Sequence, residues 1–531
     1  MDMIPREETP GNPAPSSMPP FDRPRSWLGR PHPLLAWIVI VAMAGLTIMA
    51  HQAAPAPGTS PIDESGTTVV DRLFGVQNRV FVAVGEKDTP RNRRLAFANA
   101  APYGSGSLSR RAILVVLAHE LDGPEQVLTQ LDLLELELAT ARSEGEGGEQ
   151  AGDGDAAAED EAAERDPVDA ANRAAQVERI GALHEVLRAL YVGGEPDVVR
   201  LTASQRDALI DELGWYGELA LVPAGQDDAA RNELLAPWAM AAVVFGILVI
   251  VAVGAACIGG IGLLVMLGAA FTNKLRGGLP SRSSSSGYYA ETFAAWLVLF
   301  LCLQAAAGLV GGFVHRDSAL LLGFIGFMLS LSALAWPVLR GVPWATVRAD
   351  IGLNLGRRPL LEPFIGVGCY LMGLPIIVVG VLITFGLMWL TGGGADGGGT
   401  GAFGGEDAPS HPVIDVLAQG GWWPILQVYL VASVAAPIVE EIAFRGLLYR
   451  HLRDASRMIG TVGSIIISTL LGAFVFAAIH PQGLLAIPAL MSVAVGMTLT
   501  REWRGSLIPS MVIHAVNNGI IMTLMVVALG V

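Results

Sequence analysis

Three short groups of polar residues interrupt the apolar C-terminal fifth of this 531-residue chain, and each could move a proton or hold a charge. The first is Pro437-Ile-Val-Glu440-Glu441-Ile-Ala-Phe-Arg445-Gly446. On a helix Glu441 and Arg445 stand four apart, share a face and can pair. Glu440 points about 100° away from that pair, which leaves one carboxylate held and another free. A carboxyl group kept from water is tuned toward neutral pH and suits general-base work. The second group is Phe476-Ala-Ala-Ile-His480, which closes an apolar helix ahead of Pro481 and Gly483. The third is His514-Ala-Val-Asn-Asn518 inside the last apolar segment, where His514 and Asn518 face the same way. Each group also has a plainer reading: the Glu and Arg charges could snorkel at a helix rim, and His480 could be a helix-end cap. Taken together in one terminal block they are more specific, because ionisable groups at bilayer depth cost about 2.5–3.5 kcal/mol each and normally serve a function. Glu440, His480 and His514 are also acceptable zinc ligands. No His-Glu-x-x-His motif is present, so zinc and a metal-free glutamate mechanism both remain open, with the second favoured.

These side chains must be carried by membrane helices. The chain is 52% apolar and 16% charged, against about 25% charged in ordinary soluble domains. Apolar runs at 34–50, 237–271, 292–314, 318–339, 364–391, 422–444, 459–480, 484–500 and 506–530 are long enough to cross a bilayer. Residues 34–50 also fit a signal peptide, and 237–271 is too long for one straight span unless it tilts or breaks near Gly259–Gly260. Basic clusters at Lys274/Arg276/Arg282, Arg340/Arg348/Arg357/Arg358, Arg445/Arg450/Arg453/Arg457 and Arg501/Arg504 fall at every second loop. That alternation predicts a cytoplasmic N-terminus, with residues 58–235, the Gly-rich loop 392–405 and the C-terminus outside. The expected fold is an all-α polytopic bundle of about eight to nine spans, with a mainly helical extramembrane domain inserted after the first.

Within that plan, residues 1–33 read as a disordered tail and 58–235 as an acidic soluble domain. This domain holds 33 of the 49 acidic residues and only 16 of the 34 basic ones. Helical periodicity marks Ala112–Leu121, Val127–Ala141 and Ala175–Tyr191, and Val80–Val84 suits a short strand. The tract 143–166 is a Gly/Ala/Glu/Asp linker that cannot bury a core. Residues 237–421 would be accessory spans and 422–531 the functional core. Cys257, Cys302 and Cys369 lie in apolar runs without metal-type spacing, so they act as small hydrophobes.

Glu-Glu-x-x-x-Arg, then Phe-x-x-x-His, then His-x-x-x-Asn on three consecutive membrane segments resembles the CPBP family, the CAAX prenyl protease type II and bacteriocin-processing (Abi) intramembrane proteases. All three motifs match, and the likeness covers roughly 422–525. The resemblance implies that Glu440 and His480 activate a water for attack on a peptide carbonyl. His514 and Asn518 would donate hydrogen bonds to the oxyanion, and Glu441 with Arg445 would hold the scaffold. The expected function is therefore intramembrane endopeptidase, acting on a membrane-associated or secreted peptide in the lipid bilayer, with no nucleic-acid partner. A proton-coupled transporter using the same polar cluster, and a non-catalytic membrane scaffold, are the alternatives. No internal repeat supports the former.

Overall fold

The computed structural model describes residues 29–53, 69–150, 167–191, 198, 201–391, 413–418 and 420–529, apart from breaks at 86–87, 105–106, 273, 275–276, 280–282, 284, 312 and 314–315. Residues 1–28, 151–166 and the loop 392–405 lie outside the described residues, and with them the expectations for the tail, most of the acidic linker and the Gly-rich loop. The described fold is all helical, with nine helices long and apolar enough to cross a membrane.

After α1 (Pro33–Ala53) come α2 (Val69–Gly85), α3 (Pro90–Ala100), α4 (Leu108–Leu121), α5 (Pro124–Gln150), α6 (Pro167–Tyr191), α7 (Ala203–Leu213) and α8 (Trp215–Ala220). Seven of these, α2 to α8, enclose one apolar core around Leu114, Leu117, Leu134, Ile180, Leu187 and Leu209. The short strand expected at Val80–Val84 is the last turn and a half of α2. Its β-branched residues favour a strand locally, but Asn78, Val82 and Ala83 recur at helical spacing and are buried, and tertiary burial overrides propensity. Two internal charges anchor this core: Arg231 and Glu120, both nearly buried, pair at 2.6 Å.

His119 closes α4 against Tyr191, with ring centroids 4.9 Å apart. Burial holds its pKa below the ordinary 6.5, with Glu120 pulling it up and Arg231 pushing it down. The imidazole thus stays neutral in the folded helices while the unfolded chain takes up a proton. Stability is full above pH 6.5 and is lost as pH falls from there toward the depressed folded value. The slope is at most about 1.4 kcal/mol per pH unit. Thermal melting of the full chain between pH 7.5 and 5 should show this decline, and His119→Gln should flatten it.

The membrane layer consists of α1, α9 (Asp228–Phe271), α10 (Ser286–Gly311), α11 (Arg316–Ser330) continued by a 3-10 turn and α12 (Ala335–Leu339), then α14 (Glu362–Thr391), α16 (Trp422–Ala455), α17 (Gly460–Ala478), α18 (Ile487–Arg504) and α19 (Ile508–Leu529). The short helices α13 (Trp344–Ile351) and α15 (Ile414–Ala418) lie between spans. Ala36 and Ile40 of α1 belong to the bundle core, and Trp37 Nε1 donates to His451 Nε2 at 3.1 Å.

Of the two alternatives for this segment, a tilt or a break near Gly259–Gly260, the break does not occur: α9 is one helix of 44 residues. Gly259 instead lets α9 touch α14, because a Cβ there would sit 1.8 Å from the Leu371 carbonyl oxygen. Small residues permit such close helix contacts in membranes. Gly259→Leu is expected to destabilise the protein by about 1–3 kcal/mol, measured as a lower melting temperature in detergent.

Described segments next to the basic clusters, with Arg453 itself, meet on one face, the basic face. Gly278 N–H donates to Glu502 O, Asn354 Nδ2 to Gly505 O, and Arg453 to both Glu502 carboxylate oxygens. At the other end of α19, Met522 and Leu529 pack with Leu417 of α15 and Leu73 of α2.

Candidate active site

The longest departure from the expected spans is α16, which does not stop at residue 444 but runs on to Ala455. Its arginines are not loop charges. Arg445 pairs with Glu441 at 2.7 Å, Arg450 with Asp454 at 3.1 Å, and Arg453 with Glu502 at 3.0 Å. With their charges answered inside protein, the helix can continue where a hydropathy window ends. Glu440 therefore stands mid-span, 15 residues or about 22 Å before the turn into α17. His480, just past the end of α17, comes back to the same depth. Sequence spacing alone places the two about 30 Å apart, and the three added turns take up about 16 Å of that separation.

Local backbone shape aims these groups. Two π-helical stretches, Val431–Ala435 and Glu441–Leu448, bracket Glu440. Ala436 N–H donates back five residues to Val431 O, and Pro437 has no N–H to give. The Ala432 carbonyl thus loses both helical donors. Asn518 Nδ2 supplies the missing one at 2.8 Å. Asn518 Oδ1 in turn accepts from Asn517 Nδ2 at 3.3 Å. π-bulges of this kind are frequent at functional sites.

Glu440, His480 and His514 converge. Glu440 Oε2 lies 3.7 Å from His480 Nε2 and 3.7 Å from His514 Nε2, and it is buried without a hydrogen-bond partner of its own. His480 Nδ1 is 2.5 Å from Phe476 O. Since a carbonyl only accepts, this nitrogen carries the hydrogen and Nε2 faces Glu440 with its lone pair. His514 Nδ1 is 3.1 Å from Glu441 Oε1, which also accepts from Arg445 Nη1 at 2.7 Å. Its Nδ1–H is fixed in the same way. Glu441 is fully buried and Arg445 is 2% exposed, so this pair must be kept intact. Arg445 also lies over the Phe476 ring at 4.5 Å, and that ring contacts both imidazoles.

Residues 421–520 match the Rce1-like family, the type II CAAX prenyl endopeptidases. The match covers the three motifs and the helices that bring them together, and it supports a membrane protease. No curated protein and no solved structure matches the chain.

Within this Rce1-like block, Asn518 joins the group through the α16 backbone rather than through a bond to Glu440 or a histidine. Sequence reasoning also passed over Phe476 as a platform: its ring is what Arg445, His480 and His514 share. The four-residue step from Phe476 to His480 puts the ring on that imidazole's face, but the spacing gives no signal for its contacts with Arg445 and His514. Zinc would require several donors about 2.0–2.2 Å from one point. Among the described residues no group of three or more His, Cys, Asp or Glu has that arrangement. The three candidates Glu440, His480 and His514 do not fit a metal as they stand, and no step below uses one.

Proposed function

We propose that the chain is an intramembrane endopeptidase that hydrolyses a peptide bond of a membrane-associated or secreted peptide. The observation that carries this reading is the pair of 3.7 Å separations around Glu440 Oε2. They are too long for direct hydrogen bonds and suit groups bridged by a water. The carboxylate and His480 Nε2 can only accept, so they would orient a water through its two hydrogens and leave an oxygen lone pair for attack.

In the proposed reaction Glu440, assisted by His480, takes a proton from this water while its oxygen bonds to the peptide carbonyl carbon. Charge moves to the carbonyl oxygen. His514 donates to that oxyanion from Nε2, and Glu441 behind it accepts the Nδ1–H and supports the positive charge on the ring. One Asn518 Nδ2 hydrogen is bonded to Ala432, and the other would complete the oxyanion site, the arrangement that preorganised donors give acyl-transfer reactions. Collapse breaks the C–N bond, and the proton held by Glu440 passes to the leaving amine. In this reading the basic face is cytoplasmic, α2–α8 lie outside, and the membrane is the plasma membrane.

Comparative membrane proteomics of cells carrying the wild-type chain or Glu440→Ala tests the reading. Peptide termini present only with the wild-type chain are the expected result. Identical terminus sets, with ion or solute flux through the purified chain in liposomes, would replace it with transport.

A further inference from the structure

A cavity of about 390 Å3 lies away from the glutamate–histidine centre, on the basic face where α9, α12, α14 and α18 begin or end. Its walls come from the segment after α9, from α13 and the turn behind it, and from the end of α18. Arg348, Arg357, Arg504 and Asn354 line it together with Gly278 and Gly505, and no acidic side chain is among the described residues doing so. The glycines form a backbone floor. Gly505 has φ +72°, and a Cβ there would sit 2.3 Å from Gly278 O. This is a left-handed conformation and a close approach that only glycine accommodates.

Two of the polar lining groups are already satisfied. Glu362 holds Arg504 in a bidentate pair at 2.6 and 3.0 Å. Asn354 donates to Gly505 O at 3.1 Å and accepts from Gly356 N–H at 2.9 Å. Arg348 and Arg357 remain exposed, and neither has an ion pair among the described residues. The cavity therefore carries two unanswered guanidinium charges.

Exposed apolar residues flank the lining residues in the sequence. Trp344 precedes the lining residue Ala345, Leu355 lies between Asn354 and Gly356, and Leu360 and Phe364 follow Arg357; Leu360 is 86% exposed, Phe364 73%, Leu355 68%, and Trp344 is exposed too. Such residues are wrong for water and right for the depth at which acyl chains meet headgroups, where tryptophan and arginine gather. The geometry points to a binding site for the phosphate group of an anionic phospholipid, with Arg348 and Arg357 on the phosphate and the leucines against the glycerol and acyl carbons. Guanidinium forks pair with phosphate oxygens bidentately, and basic pockets between span ends select anionic headgroups. A volume near 390 Å3 is within the range of small-ligand pockets and large enough for a phosphoglycerol group. The site is independent of the peptidase reading, since none of its residues contacts Glu440, His480 or His514.

The test uses the full chain purified in an uncharged detergent. It is titrated with dioctanoyl phosphatidylglycerol, with dioctanoyl phosphatidylcholine and with inorganic phosphate, and binding is read by native mass spectrometry. Phosphatidylglycerol should bind at least tenfold more tightly than phosphatidylcholine. The surface double variant Arg348→Gln/Arg357→Gln should lose that preference at an unchanged melting temperature, while Arg348→Lys/Arg357→Lys should keep most of it. Equal binding of the two lipids, or a glutamine variant that binds as the wild type does, overturns the site. Inorganic phosphate bound as tightly as the lipid would mean a free anion is the ligand and would overturn the lipid assignment.

Discussion

Glu440→Gln should lower the turnover of a membrane-anchored peptide reporter by about 10²–10⁴-fold, the range that a positioned general base contributes, while leaving the fold intact. Both halves follow from the same atom. Glu440 Oε2 is buried with no hydrogen-bond partner, so exchanging the carboxylate for an amide of the same shape leaves no other side chain unpaired. The amide cannot take a proton, and its nitrogen would present hydrogens toward His480 and His514 where the mechanism needs acceptors. Cleavage in proteoliposomes, followed by mass spectrometry of the new N-terminus, should fall to the background of empty liposomes, while the melting temperature moves by no more than a few degrees. A Glu440→Gln chain that still turns over at near wild-type rate would assign the base elsewhere and would return the cluster to a structural or transport role. His480→Ala should weaken turnover less than Glu440→Gln, because the carboxylate would still orient the water.

The pairing of Glu441 with Arg445 was legible in the sequence because it needs only a four-residue step, and the long arginine side chain tolerates the wider π turn that the chain adopts there. The depth of His480 was not legible. It depends on how far α16 runs, and that depends on Arg453 finding Glu502, a residue 49 positions away. Hydropathy weighs each arginine as a loop charge and has no means of knowing that it is answered. Asn518 shows the same limit. Its four-residue step from His514 places it on the right face, but its bond to Ala432 arises from a widened turn ahead of Pro437. Pro437 was visible, whereas the carbonyl it orphans was not. Gly259 left two alternatives open for a related reason: a glycine reads equally as a breaker or as a contact, and the choice is made by α14, which packs on it.

Arg445→Met should be the most destabilising single change in the bundle, costing about 3–5 kcal/mol, because it strands the fully buried Glu441 carboxylate without its counter-charge. The loss would appear as a large drop in melting temperature in detergent and as poor recovery from the membrane. Charge alone does not account for the pair. Glu441 Oε1 also accepts the Nδ1–H of His514, so one carboxylate oxygen supports the scaffold and sets the imidazole that faces Glu440. The double variant Glu441→Met/Arg445→Met separates the two duties. Removing both charges leaves an apolar pair of similar volume against Phe476, and such exchanges are often close to neutral for stability, so melting should return most of the way to wild type. Activity should not return with it. His514 would keep its place on α19 but lose the carboxylate that accepts its Nδ1–H, and an unheld ring can turn its Nε2 away from the oxyanion position. A double variant that is stable and as active as the wild type would show that the buried pair is there for the fold alone and that His514 needs no partner to do its work.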